Sequence, residues 1–555
     1  MFLVEFLIFV LLTIILSISI SGYGSLYPIK EKRNFFLDIF LGFIIISLLI
    51  TIFHFFFKIN LFLNSLTYLI GLIIFFKRNK FLDFFKFIKK SYILNISILL
   101  LLIPIFISQK YHEDFGYYHL PYALAFLEEK IVFGFANINQ TYVYNSIWLN
   151  LYPLFFLENK NFNFLTLPSF LLFLSFIIFS INKILEKKNF TISDFYLITI
   201  LFYCLLKFTR ISEFGIDFPA NIYSILSIFF FIKFYETYVI FEKKSFFYLN
   251  CIFSIFSILI KLSTIPVIIL PIYLYFTNFK NLKFCIFENK FLIIYFLLIV
   301  FFVQQFIYTG CILFPTNFTC FNVSWFNSEN INLSNKLELI NKSYSLARNI
   351  YSPEEYLNNF KWFPFWFKRS LNEILEHLMT MVIPLVLFFL LSKKRKKNTS
   401  LAFNKKKVLL FFSILSLFFW LKFSPVFRFA IYIFITLVFL IFLNFFNLRE
   451  FSKKKFTVFI VIFLIFNFSK NINRIYESEK IFLGIQKIEN KYLFDKDNSN
   501  EYASIYYPDV KKNIKKNGWQ GRLCWNTPFI CSSKKLIINK KNGYLIINEL
   551  KNKDD

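Results

Sequence analysis

Residues 246–276 read FFYLNCIFSIFSILIKLSTIPVIILPIYLYF, an apolar run of 31 residues broken by one charge, Lys261, and by Pro266 and Pro271. As one helix the run would be roughly 46 Å long, too long for a bilayer core of about 30 Å. A single span here would also move every later basic loop to the other side of the membrane. Two short helices, a re-entrant pair meeting near residues 261–264, remove both conflicts.

The same reading extends over the whole chain. Its 555 residues are 57% hydrophobic, with 87 phenylalanines, and the mean hydropathy is +0.58. Soluble domains are less apolar than this. Apolar segments fall at 2–20, 35–57, 60–76, 91–108, 162–182, 192–208, 219–241, 246–260, 265–276, 291–308, 374–391, 407–421, 430–447 and 456–468. The expectation is an all-α integral membrane protein, a polytopic bundle of about fourteen membrane segments with small extracytoplasmic loops. Phe, Ile, Lys and Asn are frequent throughout, so single Phe or Asn positions carry no functional weight at this stage.

The net charge is +29. A basic balance of this size also fits nucleic-acid binding, but its distribution points elsewhere. Lys and Arg collect at 30–33, 77–90, 182–188, 241–245, 277–290, 393–407 and 449–455. With the segments above, all of these lie on one side, and the positive-inside rule makes that side cytoplasmic. Both termini are then outside. The first helix, whose only charge is Glu5, lacks the basic start of a signal peptide and reads as retained.

Outside, on this topology, lie loops 109–161 and 309–373 and the tail 469–555. Two close cysteine pairs, Cys311/Cys320 and Cys524/Cys531, are expected to form disulfides there. Cys204, Cys251 and Cys285 read as small apolar fillers.

The chain's rarest polar groups gather in the first outer loop. Residues 110–130, KYHEDFGYYHLPYALAFLEEK, hold two of its four histidines and the adjacent Glu113 and Asp114. The pair suits a general base, or carboxylates holding a divalent cation, Mg²⁺ or Mn²⁺. The plainer alternative is an acidic helix start. The following residues, with Leu120, Leu124 and Leu127 on one face, suggest an amphipathic helix on the outer leaflet. A second outer loop carries Arg210, Glu213 and Asp217. Lys261 interrupts an apolar hairpin, where an ionisable residue is costly. Arg428 closes the outer end of a helix pair. Lys261 and Arg428 suit an anionic phosphate; snorkelling toward headgroups is the alternative. His54 and His377, near segment ends, read as packed. There is no phosphate-binding glycine loop and no zinc-type histidine cluster.

Several of these stretches form a pattern. DFGYYH (114–119) with FGFANINQTYVYNS (133–146) resembles the first outer loop of a family of bacterial multi-pass membrane proteins. That family is similar to the GT-C superfamily of polyprenyl-phosphate-sugar-dependent glycosyltransferases. EFGIDFPA (213–220), KLSTIP (261–266), GCILFP (310–315), PVFRFA (425–430) and CWNTPFIC (524–531) follow in the same order. The chain departs from most GT-C enzymes in having three membrane segments ahead of the one that leads into the acidic loop. Residues 1–90 would then be an N-terminal addition to a GT-C-like core at 91–468.

The resemblance implies an enzyme of the bacterial cytoplasmic membrane. It would move a sugar from a polyprenyl-phosphate donor to a lipid, glycan or protein acceptor at the outer face. Asp114, with Glu113 beside it, would be the base; Tyr118 and His119 would line the substrate. Glu213 and Asp217 would bind sugar hydroxyls or complete a metal site, Arg210 would join them in binding substrate, and Lys261 and Arg428 would hold the phosphate. A transporter or flippase of lipid-linked sugars, and an outer-face polysaccharide polymerase or ligase, are the alternatives.

Overall fold

A computed structural model describes residues 2–29, 34–78, 80–107, 114–156, 162–186, 190–207, 215–391, 405–445, 453–477, 529–532 and 536–549. The chain begins with α1 (Phe2–Gly24), α2 (Phe35–Phe56), α3 (Leu61–Lys77) and α4 (Lys80–Ile107). It continues through α5 (Leu120–Glu128), α6 (Leu167–Glu186), α7 (Ile192–Leu206), α8 (Asp217–Glu236) and α9 (Ile240–Ile260). Next come α10 (Ile269–Thr277), α11 (Phe279–Leu282), α12 (Asn289–Thr309), α13 (Glu329–Asn341) and α14 (Pro353–Leu357). The last helices are α15 (Phe363–Leu390), α16 (Lys406–Phe423), α17 (Ile431–Phe445) and α18 (Lys453–Glu477). Each apolar segment named above overlaps one of these helices over its described residues. Among the described residues, 8 helices are long and apolar enough to cross a membrane, or 9 if a bent pair counts as one span.

Sequence sets the helix starts directly. Asn34 caps α2 by accepting from the Phe36 amide, Asn60 caps α3 by accepting from Leu63, and Thr191 with Asp194 forms a capping box on α7. Between helices, where lipid provides no hydrophobic contrast, close backbone approach and polar contacts do the joining. At the α1–α3 crossing a Cβ on Gly22 would lie 2.0 Å from the Gly71 carbonyl oxygen. The Ser19 hydroxyl donates to the Tyr68 carbonyl at 2.8 Å beside it. The α8–α9 hairpin is joined by Ser227 and Ser254, 2.7 Å apart, and by Asn250 donating to the Ser227 carbonyl at 2.8 Å. The boundary expected at residue 90 falls inside α4, and Tyr223 of α8 donates to the Phe40 carbonyl of α2 at 2.9 Å. The N-terminal helices are thus packed into the bundle.

The opening stretch breaks where its charge stands. α9 ends at Ile260, a 3-10 turn over Leu262–Ile268 follows, and α10 then bends by 98° into the next segment. The basic ends cluster. Lys453 at the start of α18 donates to the Leu185 carbonyl at the end of α6 at 2.5 Å, and Lys406 reaches the Leu443 carbonyl of α17 at 3.3 Å. Lys455 donates to Leu391 at the end of α15.

Three expectations are corrected. α5 does not lie on a leaflet: Leu120, Ala123 and Phe126 are buried, and Phe126 stacks on His54 with ring centroids 3.5 Å apart. Of the face read as lipid-facing, Leu120 is buried, and Leu124 and Leu127 are partly buried and pack against the core. α15 starts at Phe363, well ahead of residue 374, so His377 lies inside a helix.

The chain is also not wholly α. β1 (Leu536–Lys541) and β2 (Tyr544–Glu549) form an antiparallel hairpin. Its Asn542-Gly543 turn has φ of 52° and 77°, the left-handed pair such a two-residue turn requires. The hairpin docks on the segment that follows α5. Phe133 donates to the Leu545 carbonyl and accepts from the Ile547 amide, both at 2.9 Å. Gly134 permits this approach, since its φ is +74° and a Cβ there would sit 2.2 Å from the Ile547 oxygen.

Candidate functional site

The ends of four helices supply the charged groups. Asp217 is the first residue of α8, Lys261 follows the last residue of α9, and Arg428 lies in the short turn between α16 and α17. The Lys261 ammonium contacts one Asp217 carboxylate oxygen, and the Arg428 Nε lies 3.0 Å from the other. One carboxylate therefore joins two cations brought together from distant parts of the chain.

Asn221, one turn along α8, fixes this geometry. Its side-chain amide donates to the Asp217 carbonyl at 2.7 Å and to the Arg428 carbonyl at 3.0 Å, and its oxygen accepts from the Tyr432 amide at 3.0 Å. The Phe429 ring lies under the Lys261 ammonium, 3.2 Å from nitrogen to centroid, a cation–π contact. Burial pulls the Lys261 ammonium down to about 8; Asp217 and Asp114 oppose that pull, and the Arg428 charge adds to it.

Asp114 lies between α4 and α5, immediately before one turn of π-helix over Phe115–His119. Such turns are frequent at functional sites. Burial, followed by the charges of Asp114 and Asp217, pushes the Tyr118 phenol well above its ordinary range, with Arg428 opposing. Asp114, Asp217 and Arg428 thus all act on one partly buried tyrosine. His119 is buried beside it, its ring 4.0 Å from Tyr118 and 6.3 Å from Tyr152 between centroids.

The structure therefore brings together Asp114, Tyr118, His119, Asp217, Lys261 and Arg428. Glu113, Arg210 and Glu213 lie outside the described residues. Asp217, expected on sugar hydroxyls or a metal, instead holds the two cations. Among the described residues no group of three or more His, Cys, Asp or Glu could hold a metal ion. With both Asp217 oxygens facing cations, that carboxylate makes a poor divalent ligand.

Cys311 and Cys320 are disulfide-bonded, and Cys204, Cys251 and Cys285 are buried thiols. Cys531 is disulfide-bonded as well; its expected partner, Cys524, lies outside the described residues. His54 is packed, and His377 is held by the Tyr203 hydroxyl at 2.8 Å and by stacking on Phe427.

A buried polar network behind the site was missed in the sequence. Gln304 accepts from Asn145 at 2.9 Å and from Asn150 at 3.0 Å, and donates to the Tyr308 hydroxyl at 2.9 Å. Asn150 also donates to the Thr51 hydroxyl at 2.7 Å and accepts from Tyr122 at 2.6 Å. The available signal was the pair Gln304-Gln305 in FFVQQF, two amides inside an apolar helix.

A family model described as a domain of unknown function, DUF8201, matches residues 1–435. The chain belongs to the DUF8201 family. The family match carries all four charged residues of the site, Asp114, Asp217, Lys261 and Arg428, and leaves out α18 and the hairpin. No curated protein and no solved structure matches the chain.

Proposed function

We propose that this DUF8201 protein is a GT-C-like membrane glycosyltransferase, using a polyprenyl-phosphate sugar at the outer face of the bacterial cytoplasmic membrane. The observation that carries the reading is the Asp217–Lys261–Arg428 cluster at helix ends, with the charge of Asp114 acting on Lys261. A carboxylate acting on a two-cation site is the pairing needed to activate a hydroxyl and receive a phosphate. In this scheme Asp114 takes the proton from the acceptor hydroxyl as its oxygen attacks the anomeric carbon. The bond from that carbon to the phosphate oxygen breaks, and the phosphate leaves with the bonding pair. Lys261 and Arg428 stabilise the developing charge. Asp217, held by Asn221, positions both cations. Lys261 gives one N–H to Asp217 and, of the three an ammonium carries, keeps donors for phosphate oxygens. No step is routed through a metal.

In this reading the chain crosses or enters the membrane in about fourteen segments, with the basic ends inside. The missed polar network supports the outer-face reading over a transporter with a polar path at the midplane. Thr51 and Gln304 each stand five residues before the ends of α2 and α12, roughly 8 Å along the helix, on the side opposite the basic clusters.

The experiment is donor consumption by the purified chain in liposomes carrying a polyprenyl-phosphate sugar and a mixed acceptor pool. Transfer of labelled sugar with release of polyprenyl phosphate is expected. Movement of intact donor across the bilayer without bond cleavage would replace the enzyme with a flippase.

A further inference from the structure

A second charged cluster lies where α7, α15 and α18 meet. Lys207 follows the last residue of α7 and contacts Glu376 of α15. Lys470 of α18 donates to the Leu206 carbonyl at 3.4 Å. One turn further on, Arg474 donates to the Asn471 side chain at 3.4 Å. His377, the remaining titratable group on α15 here, is turned away to Tyr203 and Phe427. Three cations thus gather here, and Glu376, which pairs with Lys207, is 64% exposed.

Capping explains part of this arrangement, since cations near helix C-termini are favourable. It does not explain why a third cation joins two that already repel one another. Directly below the cluster the bundle presents apolar side chains: Ile462 and Phe466 on α18, Met379 and Ile383 on α15, each about half exposed. The Lys470 ammonium lies 5.9 Å from the Phe466 centroid, at the join between the charged and apolar surfaces. An anion attached to a hydrocarbon tail matches both parts at once, and arginine binds phosphate oxygens in pairs.

We propose that Lys207, Lys470 and Arg474 form a binding site for a phosphate group, that of a membrane lipid whose acyl chain lies along α15 and α18. The site uses none of the residues assigned to transfer, so its failure leaves the glycosyltransferase reading untouched.

The test is native mass spectrometry of the full detergent-purified chain titrated with phosphatidate, with diacylglycerol of the same chains, and with inorganic phosphate. Phosphatidate should bind, diacylglycerol should bind much more weakly, and the paired variant Lys470→Gln with Arg474→Gln should lose at least tenfold in phosphatidate affinity. Arg474→Lys should retain most of it. If the paired variant does not fold, Arg474→Gln alone, at a half-exposed position in the last turn of α18, should lose about threefold. Inorganic phosphate binding as tightly as phosphatidate, with the same sensitivity, would keep the phosphate site but overturn its assignment to a lipid. Equal phosphatidate affinity in wild type and the Arg474→Gln variants would overturn the site itself.

Discussion

Replacing Asp114 by asparagine is expected to lower sugar transfer by about 10²–10⁴-fold, the range a positioned general base contributes, while the unfolding temperature stays at the wild-type value. Asparagine keeps the shape and hydrogen-bonding capacity of the side chain but cannot accept the acceptor's proton. The stability control matters because Asp114 acts electrostatically on both Tyr118 and Lys261. A variant that lost turnover and stability together would point to a structural anion. Full activity in Asp114→Asn would remove the base assignment.

The second large effect belongs to Asp217. Asp217→Asn leaves Lys261 and Arg428 facing each other without the carboxylate that joins them. Breaking a fully buried pair costs about 3–5 kcal/mol. Asp217 is 19% exposed and Arg428 32%, so solvent screening reduces this to about 2 kcal/mol. The expected result is a clear drop in unfolding temperature, followed by tryptophan fluorescence in detergent, with part of the loss recovered in the double variant Asp217→Asn with Lys261→Met. An unchanged unfolding temperature in the single variant would mean that the ion pairs do not hold these helix ends together.

The two predictions rest on residues of differing legibility. Lys261 was plain in the sequence because one charge in a long apolar run is costly anywhere in a bilayer. Its partner was not: Asp217 read as a loop charge, and no local pattern says which distant cation a carboxylate meets. Asn221 was hidden for a related reason, since asparagine is common in this chain and its importance comes from spanning α8 and the Arg428 turn. The leucine spacing of α5 marked a helix with an apolar side correctly, but not whether lipid or protein covers it. The C-terminal hairpin could have been found. LIINKKNGYLIINE places an Asn-Gly turn between two β-rich runs, a short-range signal overshadowed by the cysteines and tryptophans before it.

The central claim is that the two halves of the site face outward together, and single-cysteine labelling from outside intact cells tests it most directly. In a background without the native cysteines, the positions are His112→Cys, two residues before Asp114 in the sequence, Ser424→Cys, four before Arg428, and Lys396→Cys in the basic stretch 393–407 as a control. Labelling at 112 and 424 but not at 396 is the predicted result. Labelling at 396 with protection at 112 and 424 would turn the site toward the cytoplasm and contradict the outer-face glycosyltransferase.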